Sequence, residues 1–257
     1  MEYKLVVYSH TDFIDILSLQ DGGDVLLINY NDLDLDIYSR YNQIIFYDDS
    51  LPYASRLLNL LNIESKYILL LHDIDIIIHK NNSVIDKITN LMEVNNIDRV
   101  DLQFDCNPPN TVNWDLPCLD LDGNTKYRNE DYDDLISPNE YGTKYNVNPS
   151  LWNLKSLISV MSQFKYLSYR NIEVNRDLQS FVNLMNVYQL YSKNIVRCGY
   201  FTCLNFFQFL HITHGGLLIP VSKDDQDHSL SDHVYEFYMQ ALKRINSNRR
   251  FRNRMSD

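Results

Sequence analysis

The sequence predicts an α/β protein with a mostly parallel sheet flanked by helices, and three observations carry that expectation. Strand-like and helix-like patterns alternate over the first hundred residues. The strand-like segments, among them YKLVV, DVLLIN and YILLL, are continuous apolar runs, as expected of strands covered on both faces. Polar and acidic residues follow several of those runs, at the carboxyl ends where open α/β sheets hold their ligands.

Tyr3 to His10 reads as the first strand, and Thr11 to Leu19 as a short helix with Thr11 as N-cap. Asp24 to Asn29 and Asn42 to Asp49 read as the second and third strands. From Leu51 to Ile63, leucines at 57, 58, 60 and 61 with Pro52 in the first turn indicate a helix. Tyr67 to Asp73 reads as the fourth strand, Asn81 to Asn95 as a helix, and Ile97 to Asp105 as a strand. The polar stretch Cys106 to Asn146, rich in Pro, Asn, Asp and Tyr, reads as one long functional loop. Asn148-Pro149-Ser150 should open a helix with apolar residues at 151, 154, 158 and 161. A longer helix is expected from Asn171 to Tyr191, carrying Leu178, Phe181, Leu184, Met185 and Tyr188. Two strand-like runs (Ile195 to Thr202, Phe206 to Thr213), a Gly215-Gly216 turn and a helix from Ser231 to Ile245 follow.

Composition narrows the function. The chain has 257 residues, 45% hydrophobic and 22% charged, which suits an ordinary globular protein. A net charge of −11 argues against a general nucleic-acid binder. The basic run Arg249 to Arg254 is a local exception, either a solvated tail or a weak contact to an anionic membrane or a partner. The first residues, MEYKLVVYSH, lack the basic start and cleavage site of a signal peptide, and no apolar run is long enough to span a bilayer, so a cytoplasmic location is expected. Cys106, Cys118, Cys198 and Cys203 show no CxxC spacing and read as reduced thiols. With seven glycines and neither a GxGxxG nor a P-loop pattern, any nucleotide must be held by other means. The excess of Asn, Ile, Asp and Tyr over Gly and Ala fits an AT-rich genome, whether of a bacterium or a giant DNA virus.

Six DxD pairs occur, and five lie in polar stretches that read as solvated loop. Asp73 and Asp75 differ because they interrupt the apolar run YILLLHDIDIII. Burying an unpaired carboxylate costs several kcal/mol or neutralises it, so the pair needs a partner. Two carboxylates at a strand end make an oxygen-rich site for a hard divalent cation such as Mg2+ or Mn2+.

YILLLHDIDIII, after its preceding strand-helix steps, resembles the DxD segment of GT-A-fold glycosyltransferases, most of all the small bacterial and giant-virus type with HD-x-D after a strand. Other segments resemble the family's pattern in the expected order over residues 3 to 220. They are YDDSLPYASRLLNLL (donor pocket), NVNPSLWNLKSLISVM (entry to the acceptor half), SYRNIEVNRDLQ (acceptor-facing acidic residue) and FLHITHGG (late histidine strand). The resemblance implies one domain over 1–257, divided into a nucleotide-sugar-binding half (1–105), a long loop region (106–147), an acceptor half (148–220) and a C-terminal helix with the basic tail (221–257).

It further implies transfer of a sugar from a nucleotide diphosphate, a UDP-sugar foremost, to a glycan or other hydroxyl acceptor, with Mn2+ or Mg2+ as cofactor. Asp75 would be the direct metal ligand, and Asp73 the partner of ribose and donor sugar that also reaches the metal through water. His211 and His214 are both offered as a late metal ligand; an i, i+3 pair on a strand points to opposite faces, so one of them should reach it. His72 would stand beside the pair. Glu173, expected in the first turn of a helix where the dipole favours a carboxylate, is the candidate base for an inverting reaction, with Asp177 one turn on as the fallback. If neither lies near the anomeric carbon, the reaction would be retaining. Tyr8, Ser9 and His10 at the end of the first strand, and Tyr47, Asp48 and Asp49 after the third, should open onto the donor pocket; Tyr8 would stack on a base, and Arg56 would reach a phosphate or an acidic neighbour. Trp152 reads as core. Two rival readings are a metal-dependent phosphotransferase or phosphatase and a non-catalytic nucleotide-sugar-binding module.

Overall fold

The computed structural model describes residues 3–29, 35–102, 115–127, 135–139, 145–191, 201–203, 207–214, 217–218 and 232–245. The basic run 249–254, the Gly215-Gly216 turn, Cys106, Cys198 and half of the 106–147 stretch lie outside them.

The chain begins with β1 (Tyr3–Ser9), α1 (Ile14–Leu17), β2 (Gly23–Asn29), α2 (Leu35–Tyr38), β3 (Tyr41–Tyr47), α3 (Tyr53–Leu57) and β4 (Tyr67–His72). These four strands pair in the order β3-β2-β1-β4, all parallel, with Tyr3 opposite Tyr67 and Tyr8 opposite His72. Consecutive residues serve different layers: Val25 and Leu27 pack with Tyr53, Ala54 and Leu57 of α3, whereas Leu26 and Ile28 pack with Leu17 and Ile37. That is why the runs are apolar throughout rather than alternating. The cap of the first short helix differs from expectation: His10, not Thr11, accepts the Asp12 N–H.

After β4 the chain turns at Asp73-Ile74 into β5 (Asp75–Lys80), then α4 (Asn82–Val94) and β6 (Arg99–Asp101). The stretch expected to be one long loop contains β7 (Pro117–Leu119), β8 (Thr125–Tyr127) and β9 (Leu135–Pro138), short strands paired at the far edge of the sheet. Next come β10 (Ser150–Asn153), α5 (Leu154–Gln163), α6 (Tyr169–Ile172), α7 (Arg176–Val182) and β11 (Val187–Tyr191). The chain continues with β12 (Phe201–Cys203), β13 (Phe207–His211), β14 (Thr213–His214), β15 (Leu217–Leu218) and α8 (Asp232–Arg244). The main sheet extends beyond β4 as β10-β6-β11-β9-β7-β8 and becomes mixed there, since β10 runs antiparallel to both neighbours. A second sheet, β12-β13-β5, carries the start of β5 away from the first.

Two expected helices give way to strands. Residues 150 to 153 form β10, with buried Leu151 packed on one face of the sheet and buried Trp152 on the other. The helix starts only at Leu154, where the Asn153 side chain accepts the N–H groups of Lys155 and Ser156. The helix expected from Asn171 to Tyr191 is instead α6, α7 and β11. Asn175 caps α7 by accepting the Leu178 N–H, and Val187 and Leu190 enter the two core faces from a strand. Sheet burial with period 2 therefore prevails over a helical spacing that the leucines had suggested.

Candidate functional site

The apolar run stops where the two sheets part. β4 ends at His72, the turn carries Asp73, and Asp75 opens β5 in the second sheet. Both carboxylates are buried, at 5% and 2% exposure. Asp73 is tied to the end of β1: its N–H donates to the Tyr8 carbonyl at 2.9 Å, and its Oδ2 accepts from Ser9 Oγ at 2.8 Å and the His10 N–H at 3.0 Å. Burial pushes the Asp73 carboxyl up to about 7; the His10 and Ser9 hydrogen bonds oppose that, and the charge of Asp75 adds to it.

Asp75 is held from the second sheet and from the loop after α1. His211, its register partner on β13, meets Asp75 Oδ1 through Nδ1 at 2.8 Å. The side chain of buried Gln20 donates to the Asp75 carbonyl and accepts the Ile77 N–H. The Gln20 loop is itself fixed by Arg40, which donates to the Ser18 and Gln20 carbonyls, and by Arg244 of α8, which donates to Ser18. His214 lies on β14, three residues past the end of β13, and its side chain is outside the described ones.

Around this junction lies a cluster of rings. Tyr8 and Tyr47 stack face to face with centroids 5.4 Å apart, and Tyr53 meets Tyr8 edge-on at 5.1 Å. His72 is buried against Tyr8, Tyr53 and Tyr169, with Nε2 paired to the Tyr53 hydroxyl at 2.9 Å. Burial drops its imidazole to about 4, so it is neutral at ordinary pH. Tyr8 is only 7% exposed and Tyr47 covers its ring, so the expectation that Tyr8 stacks on a base is not met; both tyrosines are scaffold. The Tyr47 hydroxyl donates to the Ser9 carbonyl, bracing the strand end that grips Asp73.

The loop after β3 forms a second knot. Asp49 Oδ2 lies 3.1 Å from His10 Nε2 and its Oδ1 lies 3.0 Å from Arg56 Nη1. The His10 Nδ1 accepts the Asp12 N–H, which leaves Nε2 as the donor to Asp49. Arg56 also donates to the Leu51 and Asp49 carbonyls and to the Tyr8 hydroxyl. Of its two expected roles, the structure displays the acidic neighbour. Asp48 is exposed and caps Ser50.

Glu173 is not in the first turn of a helix. It follows the C-terminus of α6, so the favourable dipole invoked for it is absent, and its Oε1 accepts the Val147 N–H at 2.7 Å. It nevertheless shares a neighbour with the acidic pair. After burial, the charges of Asp75, Glu173 and Asp73 hold the Tyr169 phenol above its usual range. Asp177 is elsewhere: it lines a cavity of about 520 Å3 with Gln163, Phe164, Tyr166, Ser180, Phe181 and Leu184, none of which belongs to the cluster above.

The donor set bears on a metal. Among the described residues, no lysine or arginine forms an ion pair with Asp73 or Asp75, and no three His, Cys, Asp or Glu side chains are drawn together as a metal cage. Two carboxylates suit a cation that takes the rest of its shell from phosphate oxygens and water, as Mg2+ commonly does. The residues fit such an ion and do not fit a structural zinc. Sequence reasoning missed Gln20, Tyr53 and Tyr169. Tyr53 and Tyr169 stood inside quoted segments but were hidden among 19 tyrosines, and Gln20 carried no local signal.

No protein-family model and no curated protein sequence matches the chain. Among solved structures, a cytidylyltransferase from Leptospira borgpetersenii serovar Hardjo-bovis (strain JB197) is similar at 10% identity and TM-score 0.42, over 76% of this chain and 77% of that one. S. aureus TarS is similar at 11% identity and TM-score 0.40, over 76% of this chain and 36% of that one. A UDP-glucose pyrophosphorylase complexed with UDP-glucose is similar at 8% identity and TM-score 0.37, over 75% of this chain and 92% of that one. At these scores the likenesses carry no residue role and no activity to this chain.

Proposed function

We propose that this chain is a metal-dependent glycosyltransferase that takes a nucleotide-diphosphate sugar, a UDP-sugar foremost, and passes the sugar to a hydroxyl of a glycan or other acceptor. One observation supports the reading above the rest: two buried carboxylates, Asp73 and Asp75, at the carboxyl end of a parallel sheet, with a single histidine as their ion-pair partner among the described residues. Parallel sheets keep ligands at that edge, and two buried like charges are relieved by a divalent cation.

Asp75 would hold Mn2+ or Mg2+, with Asp73 beside it, and the bound ion would act as a Lewis acid on the diphosphate oxygens. His211 orients Asp75 through the Nδ1 contact, and Ser9 and the His10 N–H orient Asp73. Glu173 is the preferred base, since Asp177 lines a different cavity. Its Oε1 is taken by the Val147 N–H, leaving Oε2 to accept the acceptor hydroxyl proton. The freed oxygen then attacks the anomeric carbon, and the nucleoside diphosphate leaves with the bonding electrons.

The test is product identity. UDP-glucose and UDP-N-acetylglucosamine incubated with the protein and Mn2+ should yield UDP, water taking the sugar where no other acceptor is supplied. Asp75→Asn should lower the rate at least tenfold, since even residues that only support a metal ligand are worth about 10–100-fold. Release of inorganic phosphate or pyrophosphate instead of UDP would sink the glycosyltransferase reading.

A further inference from the structure

We propose that the ring of Tyr169 is the platform on which the sugar of the donor lies, an assignment that rests on the glycosyltransferase reading above. Tyr169 opens α6 and is 41% exposed, while the two rings it touches are buried. It meets Tyr53 edge-on with centroids 5.2 Å apart and His72 at 5.5 Å with a 49° tilt. His72 is the residue before Asp73, so those contacts anchor an otherwise open ring beside the acidic turn. Glu173 follows four residues on at the end of the same short helix, so the ring stands between that carboxylate and the turn that carries Asp73.

The segment that presents the ring is fixed from behind. Ile172 is buried, the Glu173 carboxylate accepts the Val147 N–H, and Gln179 Nε2 donates to the Glu173 and Tyr145 carbonyls. An exposed aromatic held this firmly offers contact area with little entropy to lose on binding.

The chemistry selects the ligand part. A pyranose has an apolar C–H face and an edge of hydroxyls; an aromatic ring next to carboxylates complements both. A uracil offers a flat face but a single ring N–H donor, whereas a pyranose brings several hydroxyls for the carboxylates beside the ring. The diphosphate would go to the ion at Asp73 and Asp75 and offers no apolar face to the ring. The sugar is the part that suits Tyr169.

Calorimetric titration of UDP, UDP-glucose and UDP-N-acetylglucosamine, each with saturating Mn2+, tests this on wild type, Tyr169→Phe and Tyr169→Ala. Tyr169→Ala should weaken both UDP-sugars about tenfold while UDP stays within about twofold. Tyr169→Phe keeps the ring and should stay within about threefold for all three, which also guards against a folding defect in the alanine variant. Equal losses for UDP and the UDP-sugars, or no loss in Tyr169→Ala, would overturn the platform and leave the enzyme reading standing. A wild type that binds none of the three would overturn the enzyme reading, and the platform with it.

Discussion

Ser9→Ala probes the tie between the end of β1 and the acidic turn. Ser9 is fully buried and its Oγ lies 2.8 Å from Asp73 Oδ2, leaving the His10 N–H at 3.0 Å as the other donor to that oxygen. A hydrogen bond to a charged acceptor contributes about 1.5–3 kcal/mol net, and the replacement leaves a buried carboxylate oxygen under-satisfied. At about pH 8 the carboxyl, whose value burial has raised to about 7, is mostly ionised. The expected loss is therefore about 2 kcal/mol, or about 4–8 °C in Tm for a chain of this length. In an Asp73→Asn background the acceptor is a neutral amide, and the same serine deletion should cost about 1 kcal/mol or less. Asp73→Asn alone should not destabilise the metal-free protein, because it removes a buried charge. Urea unfolding of the four proteins in EDTA yields the coupling energy directly, expected at about 1 kcal/mol. Additivity within about 0.5 kcal/mol would refute the tie.

Three further outcomes are expected. In metal-free Asp73→Asn, stability should fall by about 3 kcal/mol as pH drops from about 6.5 to about 4, because His72 has its folded value depressed to about 4. Adding His72→Gln should flatten that slope; the asparagine background matters because Asp73, raised to about 7, loses stability in the opposite direction, as pH rises through the same window. Leu178→Ala should cost about 2–5 kcal/mol and Leu184→Ala under about 0.5 kcal/mol by denaturant unfolding, since Leu178 is fully buried in α7 and Leu184 is 87% exposed beyond its end. Tyr238→Ala, in the cluster where α8 packs on Ile76 and Leu210, should cost about 3–5 kcal/mol and also weaken Mn2+-dependent nucleotide binding, measured by titration calorimetry, because that cluster backs the β5–β13 pair carrying Asp75 and His211.

The N-terminal half was legible because its signals are local. Runs such as Val25 to Ile28 are apolar at every position only if both faces are covered, and the structure covers both. The special standing of Asp73 and Asp75 was legible for the same reason, as charges in a run with no other polar excuse. The 148–191 region was misread because short strands there share spacing with helices. Leu151 and Trp152 count equally toward a helical stripe or two faces of a strand, and only the neighbours β4 and β6 decide between them. Long-range partners were out of reach altogether. The His211 contact with Asp75 spans 136 residues and that of Gln20 spans 55, and no local pattern announces either. Arg56 shows the intermediate case: its two expected partners were named, and geometry displays the carboxylate of Asp49.

The most direct measurement of the central claim is a thermal-shift panel of UDP, GDP, CMP and TDP, each with and without Mn2+, on wild type and Asp75→Ala. A ligand at about one hundred times its dissociation constant stabilises a fold by about 2.7 kcal/mol, several degrees in Tm. The account predicts a shift with UDP that requires Mn2+ and disappears in Asp75→Ala. A wild type unmoved by every nucleotide–metal pair, or a shift that survives the loss of Asp75, would contradict it.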